Sequence, residues 1–174
     1  SSRAAARTSN ARSGFSSGTT YAIPGSSTVS CGRATRRDAE DYYYRASSLR
    51  VIGDARRPTL IVTSADCDRA FPRAEVLRCG RDEVDLHGLL GSLGERGVKT
   101  LLVEGGSTIN WAFLRAGLAD EMRIFVSSQI LGGHAAPTLA GGAGASSIEE
   151  AVKLHLKQTA RIGDGVLLTY QVVR

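Results

Sequence analysis

The stretch "LLVEGGSTINWAFLRAGLADE", from Leu101 to Glu121, decides the fold of this chain. An apolar run typical of a strand covered on both faces ends at Glu104, and a helical pattern begins after two glycines. Ile109 and Phe113 share one side of that helix, and Gly117 predicts its end. We therefore expect a strand-to-helix connection within an α/β sheet.

This connection is also a candidate ligand site. Ligands bind beyond the carboxyl ends of strands in α/β sheets, and the free N–H groups of a helix start attract phosphate. Gly105 and Gly106 would let the backbone approach an anion, Ser107 and Thr108 would add hydroxyl donors, and Glu104 could accept hydrogen bonds from a ligand. The alternative is a tight glycine turn in which a hydroxyl merely caps the helix.

The rest of the chain alternates strand and helix patterns before ending in adjacent strands, which predicts a mixed sheet. The first twenty residues have the composition of a flexible tail or a weak helix. "VKLHLKQT" alternates strictly, which predicts a strand with one apolar face. The remaining predictions are strands at Thr59–Ser64, Ala74–Gly80, "EMRIFVSSQIL" and "GVLLTYQVV", and a helix that carries Leu86, Leu89, Leu90 and Leu93 and ends before Gly97.

Composition narrows the classes of function. The chain has 174 residues, a size expected of one domain, and no apolar run approaches a membrane span. The three cysteines match no zinc spacing and no secretory signal is visible, so we expect reduced thiols, no metal site and a cytoplasmic protein. Residues 1–58 hold ten arginines and four acids. This basic segment suggests phosphorylated ligands or nucleic acid, or else a solvated arm.

Four motifs together resemble a known family. They are "CGRDEVDL", the opening stretch, "ILGGHAAPTL" and "RIGDGVLLTYQV". In their order and content they resemble the riboflavin-biosynthesis reductases, with the archaeal type most similar, over about Leu49 to Arg174. The resemblance implies a dihydrofolate-reductase-like three-layer α/β/α fold with a mostly parallel central sheet and an antiparallel C-terminal strand pair. It also implies a homodimer.

The resemblance implies site residues as well. Glu104 would contact the substrate, while no catalytic proton donor can be assigned. The turn "PGSSTV" (24–29) matches a Gly-x-x-Thr-Val turn of the family, and Ala55 stands where the family has serine. The residues that would line NADPH are Gly25, Ser26, Thr28, Asp54, Ala55, Gly105, Gly106, Ser107, Thr108, Ile109 and Asn110.

The chain departs from the family near its start. The family's first strand and its Ser-Leu-Asp-Gly-Lys substrate motif are not found, so we expect residues 1–174 to be a single reductase domain that lacks both. The Asp-Asp-Pro and Leu-Thr-x-Arg motifs are not found either. Arg36 or Arg37 could bind the substrate phosphate in place of the arginine of the missing motif.

The expected function is NADPH-dependent reduction of the ribosylamino side chain of 2,5-diamino-6-ribosylamino-pyrimidinone 5′-phosphate to ribitylamino. Alternatives within the fold are the bacterial-type reductase of 5-amino-6-(5-phosphoribosylamino)uracil and a related NADPH reductase of another small substrate. An alternative of another class is a non-catalytic dinucleotide-binding remnant. A phosphorylated pyrimidine is the expected partner, and neither nucleic acid nor membrane is expected.

Overall fold

The computed structural model describes residues 3–8, 19–23, 27–31, 59–67, 71, 74–134, 136 and 138–174. The chain divides into two compact units, unit 1 (residues 1–2 and 15–101) and unit 2 (residues 3–14 and 102–174). Neither helix in the described part has the length and apolarity that a bilayer crossing requires. The elements are β1 (Arg3–Thr8), β2 (Thr19–Ile23), β3 (Ser27–Cys31), β4 (Thr59–Thr63), β5 (Glu75–Arg78), α1 (Leu86–Glu95), β6 (Thr100–Val103), α2 (Ser107–Arg115), β7 (Ala119–Val126), β8 (Leu154–Ile162) and β9 (Gly165–Val172).

Unit 1 is organised around four strands in the order β5-β4-β3-β2. β3 pairs with β4 and β4 with β5 in parallel, while β2 and β3 form an antiparallel pair. Every residue of β4 is buried, as expected of a strand covered on both faces. The strands predicted from "TLIVTS" and "AEVLRCG" are thereby confirmed.

Helix α1 of unit 1 follows the predicted pattern. Leu89, Leu90 and Leu93 are its buried residues. The helix begins after Asp85, whose carboxylate accepts a hydrogen bond from the backbone N–H of His87 at 3.0 Å. Gly97 follows its end with φ +82°, a left-handed conformation that glycine adopts without strain.

The "CGRDEVDL" motif forms the tight turn that leads into α1. The thiol of Cys79 donates a hydrogen bond to the backbone oxygen of Asp85 at 3.3 Å. Burial, followed by the charge of Asp85, raises the pKa of the Cys79 thiol, so it stays a protonated donor at neutral pH. Gly80 has φ +82°, and a Cβ there would overlap the backbone oxygen of Glu83 and lie 2.6 Å from the Asp85 nitrogen. This motif is therefore structural.

We expect Gly80→Ala to lower the free energy of unfolding by about 2 kcal/mol, because alanine would be strained and would collide with backbone. Gly91→Ala is the matched control, since Gly91 lies within α1 and an added Cβ meets nothing within 4 Å. Alanine should raise helix propensity there and stabilise the protein by up to about 1 kcal/mol. Urea unfolding measures both changes, and equal midpoints for the two variants would contradict this description of the turn.

Unit 2 contains β1, β7, β9 and β8 in that order. β1 pairs with β7 in parallel, whereas β7 with β9 and β8 with β9 are antiparallel. Both units therefore mix parallel and antiparallel pairing, which confirms an α/β fold with a mixed sheet and an antiparallel C-terminal strand pair. The core of unit 2 is a cluster of Leu114, Ala119, Met122 and Val172, flanked by Trp111, Ile124, Ala140, Val152 and Tyr170.

The expectation of a flexible tail or weak helix over the first twenty residues is wrong for Arg3–Thr8. These residues form β1, whose partner in β7 lies more than 100 residues away along the chain. Alanine and arginine make up five of the six residues of β1 and carry little local preference for a strand, so long-range pairing decides the conformation. Expectations that fall on residues 9–18 and 32–58 lie outside the described residues.

Strand β8 is confirmed, and the apolar face that the alternation predicts is largely exposed. Leu154 and Leu156 are 38% and 47% exposed, although they share the apolar side of the alternating pattern. Within the described part of unit 2, β8 pairs with β9 alone. Alternation correctly predicts a strand, but it does not show whether anything covers the apolar face of that strand.

Candidate functional site

The turn between β6 and α2 contains an acid and two glycines that differ in exposure and in the space around them. Val103 is buried, whereas Glu104 and Gly106 are exposed. Gly105 has φ +77°, and a Cβ on it would lie 2.6–2.9 Å from the side-chain amide atoms of Asn110. Position 105 therefore requires glycine for both its conformation and its space. A Cβ on Gly106 would meet nothing within 4 Å, so that side of the turn is open.

The N-terminus of α2 lacks the side-chain cap that α1 has. Its N-cap residue is Gly106, and no side chain among the described residues accepts a hydrogen bond from its first turn. In α1 the carboxylate of Asp85 fills that role. Because the first N–H groups of a helix have no intrahelical partners and carry partial positive charge, this end of α2 can accept an anion.

A glycine-rich segment, Thr138–Gly142, packs against the first turn of α2, and we call it the 138–142 loop. The backbone N–H of Gly141 donates to the backbone oxygen of Ser107 at 3.0 Å. The side chain of Asn110 donates to the backbone oxygen of Leu139 at 3.0 Å. The start of α2 therefore has a second segment beside it. The sequence patterns described above do not single out this segment, although its adjacent glycines, Gly141 and Gly142, could have marked it.

The predicted site residues fall into three groups. Thr28 lies on β3 of unit 1, where the strand pairing sets it opposite Ala22 and Thr59. Four others, Gly25, Ser26, Asp54 and Ala55, lie outside the described residues. The structure brings together the consecutive set Glu104, Gly105, Gly106, Ser107, Thr108, Ile109 and Asn110.

Within the consecutive set, exposure separates the residues that an incoming ligand can reach from those beneath them. Glu104, Gly106 and Thr108 are exposed, and Ser107 is half-buried. Ile109 and Asn110 are only 9% and 7% exposed, so both are buried beneath the turn. The reachable surface is therefore the turn and the first two residues of α2.

Asp120 and Glu121, the two acids of the "GLADE" run (117–121), bond to other residues of unit 2. Asp120 accepts a hydrogen bond from Arg174 at 2.7 Å, and its backbone oxygen accepts one from Gln171 at 2.9 Å. Glu121 forms ion pairs with Arg123 at 2.7 Å and Lys157 at 3.8 Å. These contacts join β7 to β8 and to the end of the chain, so this half of the motif stabilises unit 2.

The site fits a dinucleotide phosphate. The turn combines a glycine that must lack a Cβ, a neighbouring glycine that faces open space, and uncapped helix N–H groups. Hydroxyls at the first two helical positions add donors for phosphate oxygens. Within the described residues, no group of three or more histidine, cysteine or acidic side chains could hold a metal ion.

Comparisons with known proteins agree on one family. The RibD C-terminal domain family matches residues 30–168. A 2,5-diamino-6-ribosylamino-4(3H)-pyrimidinone 5′-phosphate reductase of Methanothermobacter thermautotrophicus is 41% identical over 129 residues, which cover 71% of this chain and 59% of that protein. The riboflavin biosynthesis protein RibD of Actinobacillus pleuropneumoniae is 40% identical over 98 residues, covering 56% of this chain and 26% of that one.

The fold is shared with a solved structure. The diaminohydroxyphosphoribosylaminopyrimidine deaminase/5-amino-6-(5-phosphoribosylamino)uracil reductase of Thermotoga maritima superposes with a TM-score of 0.55 and 21% identity. The match covers 71% of this chain and 33% of that one. The fold is therefore that of the RibD-like reductases, which is dihydrofolate-reductase-like. The chain spans about three fifths of the length of its archaeal relative.

Proposed function

Because the chain belongs to the RibD C-terminal domain family, we propose that it is an NADPH-dependent reductase of riboflavin biosynthesis. Its substrate is a 2,5-diamino-6-ribosylamino-pyrimidinone 5′-phosphate, whose ribosylamino side chain becomes ribitylamino. The observation that carries this proposal is the uncapped, glycine-led N-terminus of α2 next to an exposed carboxylate at the end of β6. We further propose that residues 1–174 act as one reductase domain.

The residues that would hold the cofactor lie at the start of α2. The backbone N–H groups of Gly106, Ser107 and Thr108 would neutralise phosphate charge, and Gly105 would keep the turn narrow enough for close approach. Ile109 and Asn110 would support this surface from beneath. When bound, NADPH supplies the hydride. Further cofactor contacts, proposed from the family resemblance, are Gly25, Ser26, Thr28, Asp54 and Ala55.

Glu104 has a separate task in the proposed reaction. As an exposed acid one residue beyond β6, it would accept hydrogen bonds from the hydroxyls of the ribose-derived chain. This would fix the carbon that is reduced in one orientation. Positioning of reactants accounts for a large share of the rate in such reactions, because the chemical step itself belongs to the cofactor.

The proposed assembly is a homodimer formed through unit 2. Leu154 and Leu156 on β8 are exposed, and Ile130 and Leu131 are each 96% exposed. A contiguous patch of exposed apolar side chains commonly marks an interface between subunits, and Leu154 and Leu156 share one face of β8. Leu156→Lys should convert a dimer into a monomer in light scattering after gel filtration, and a wild-type protein that is already monomeric would contradict the proposal.

We also propose a cytoplasmic location, with neither nucleic acid nor membrane as a partner.

Two measurements test the proposed function. Titration with NADPH, followed by nicotinamide fluorescence, should saturate well below millimolar cofactor. Turnover is then assayed with the diamino and the deaminated pyrimidine phosphates, and the diamino form should react faster. A preference for the deaminated form would instead identify a bacterial-type reductase, and cofactor binding without turnover of either would indicate a non-catalytic remnant. Absence of NADPH binding would overturn the proposal.

A further inference from the structure

The side chain of Asn110 lies between two glycine-containing segments of unit 2. On one side its amide atoms approach Gly105 so closely that a Cβ there would lie 2.6 Å from Oδ1. On the other side its Nδ2 donates to the backbone oxygen of Leu139 in the 138–142 loop. One buried residue therefore touches both the turn that opens α2 and the loop that lies beside it.

Burial of the Asn110 side chain at this interior position is energetically unfavourable. Its Oδ1 is buried and has no hydrogen-bond partner among the described residues. A leucine of similar size would avoid the cost of burying an unpaired acceptor. Such violations concentrate at functional sites, where another requirement outweighs stability. The bond from Nδ2 to the 138–142 loop is the interaction that leucine could not provide.

The 138–142 loop borders the part of α2 where an anion would approach. A Cβ on Gly141 would lie 2.6 Å from Ser107 Oγ, and one on Gly142 would lie 3.8 Å from Thr108 Cγ2. The loop thus lies beside both hydroxyl residues of the first helical turn, and its glycines bring backbone close and add no bulk. Its position limits where a phosphate can sit.

We propose that Asn110 is a positioning residue that holds the 138–142 loop against α2, so that the loop forms a second wall of the dinucleotide-phosphate site. This inference rests on the proposed function. Asn110 acts through the loop and the Gly105 turn and does not itself contact the cofactor. The ligand class is a pyrophosphate-bearing nicotinamide dinucleotide.

The first test is Asn110→Leu, which removes the bond to Leu139 together with the unpaired Oδ1. Hydrogen exchange of the 138–142 loop should become faster, and the Kd for NADPH should rise about three- to tenfold, the effect of one lost hydrogen bond. The melting temperature should stay the same or rise. A partly misfolded protein would instead bind fewer equivalents of NADPH with an unchanged Kd, so stoichiometry separates positioning from a purely structural role.

A second variant covers the case in which Asn110→Leu does not fold. Gly141→Ala should displace the same loop, because its Cβ would lie 2.6 Å from Ser107 Oγ. If both changes loosen one loop, the double variant should bind NADPH no more weakly than the weaker-binding single variant. Gln171→Leu is the matched control, since it removes a carboxamide-to-backbone bond of 2.9 Å elsewhere in unit 2 and should leave the Kd unchanged.

The outcomes distinguish this inference from the proposed function. If the wild-type protein binds NADPH and both loop variants bind it with the same affinity, the 138–142 loop is not a wall of the site. The proposed function would stand in that case. Unchanged hydrogen exchange in Asn110→Leu overturns the role of Asn110 in holding the loop. Failure of the wild-type protein to bind NADPH overturns the proposed function and the inference with it. Faster exchange, a raised Kd and full stoichiometry together support the inference.

Discussion

Gly106→Asp should leave the protein folded and weaken NADPH binding by about a hundredfold or more. Aspartate at this N-cap position would accept hydrogen bonds from the first turn of α2, as Asp85 does in α1. It would also place a negative charge where we propose that a phosphate binds. Two like charges about 5 Å apart repel by roughly 3 kcal/mol at an effective dielectric constant of about 20. The Kd comes from fluorescence titration.

Gly106→Asn is the matched control, because asparagine can cap the helix without adding charge. It should cost much less affinity than aspartate, and both variants should melt at or slightly above the wild-type temperature. The difference between the two Kd values should shrink as salt is added, because salt screens exposed charges. Equal NADPH affinity in the wild-type and Gly106→Asp proteins would show that the phosphate binds elsewhere.

Glu104→Gln should lower kcat/KM for the pyrimidine phosphate by about ten- to a hundredfold and leave the Kd for NADPH within about twofold. Glutamine keeps the shape of the side chain but loses the charge that strengthens its hydrogen bonds to several substrate hydroxyls, at a cost of about 1 kcal/mol for each bond. Steady-state kinetics with varied substrate at saturating NADPH provides the measurement.

Glu95→Gln serves as the control for this change. Glu95 is an exposed acid at the end of α1 and is not one of the proposed site residues, so its neutralisation tests the effect of net charge alone. Its kinetics should match the wild type. If Glu104→Gln turns over substrate as fast as Glu95→Gln does, Glu104 has no role in holding the substrate.

The parts of the fold that could be predicted from sequence are those whose signal is local. α2 and α1 follow from the spacing of apolar residues, and Gly97 and Gly117 correctly predict the ends of these helices. The turn before β9 follows from its glycines, and Gly163 indeed has φ +59°. The candidate set that starts at Glu104 could be proposed for the same reason, because a strand end, two glycines and a helix start are adjacent in sequence.

The parts that could not be predicted depend on contacts between distant residues. β1 is held by pairing with β7, and the alanines and arginines that make up most of Arg3–Thr8 carry little local preference for a strand. The bond from Asn110 to Leu139 joins residues 29 positions apart, so the sequence near Asn110 carries no sign of it. Exposure of Leu154 and Leu156 likewise depends on what lies next to β8, which alternation cannot report.

The central claim is that the backbone N–H groups opening α2 hold the phosphates of NADPH. NMR spectra of the ¹⁵N-labelled protein during titration with NADPH test it most directly, because each backbone N–H reports on its own hydrogen bond. We expect the largest shifts at Gly106, Ser107 and Thr108, with the early N–H groups of α1, capped by Asp85, unmoved. Saturable binding that leaves those three signals in place would contradict the claim.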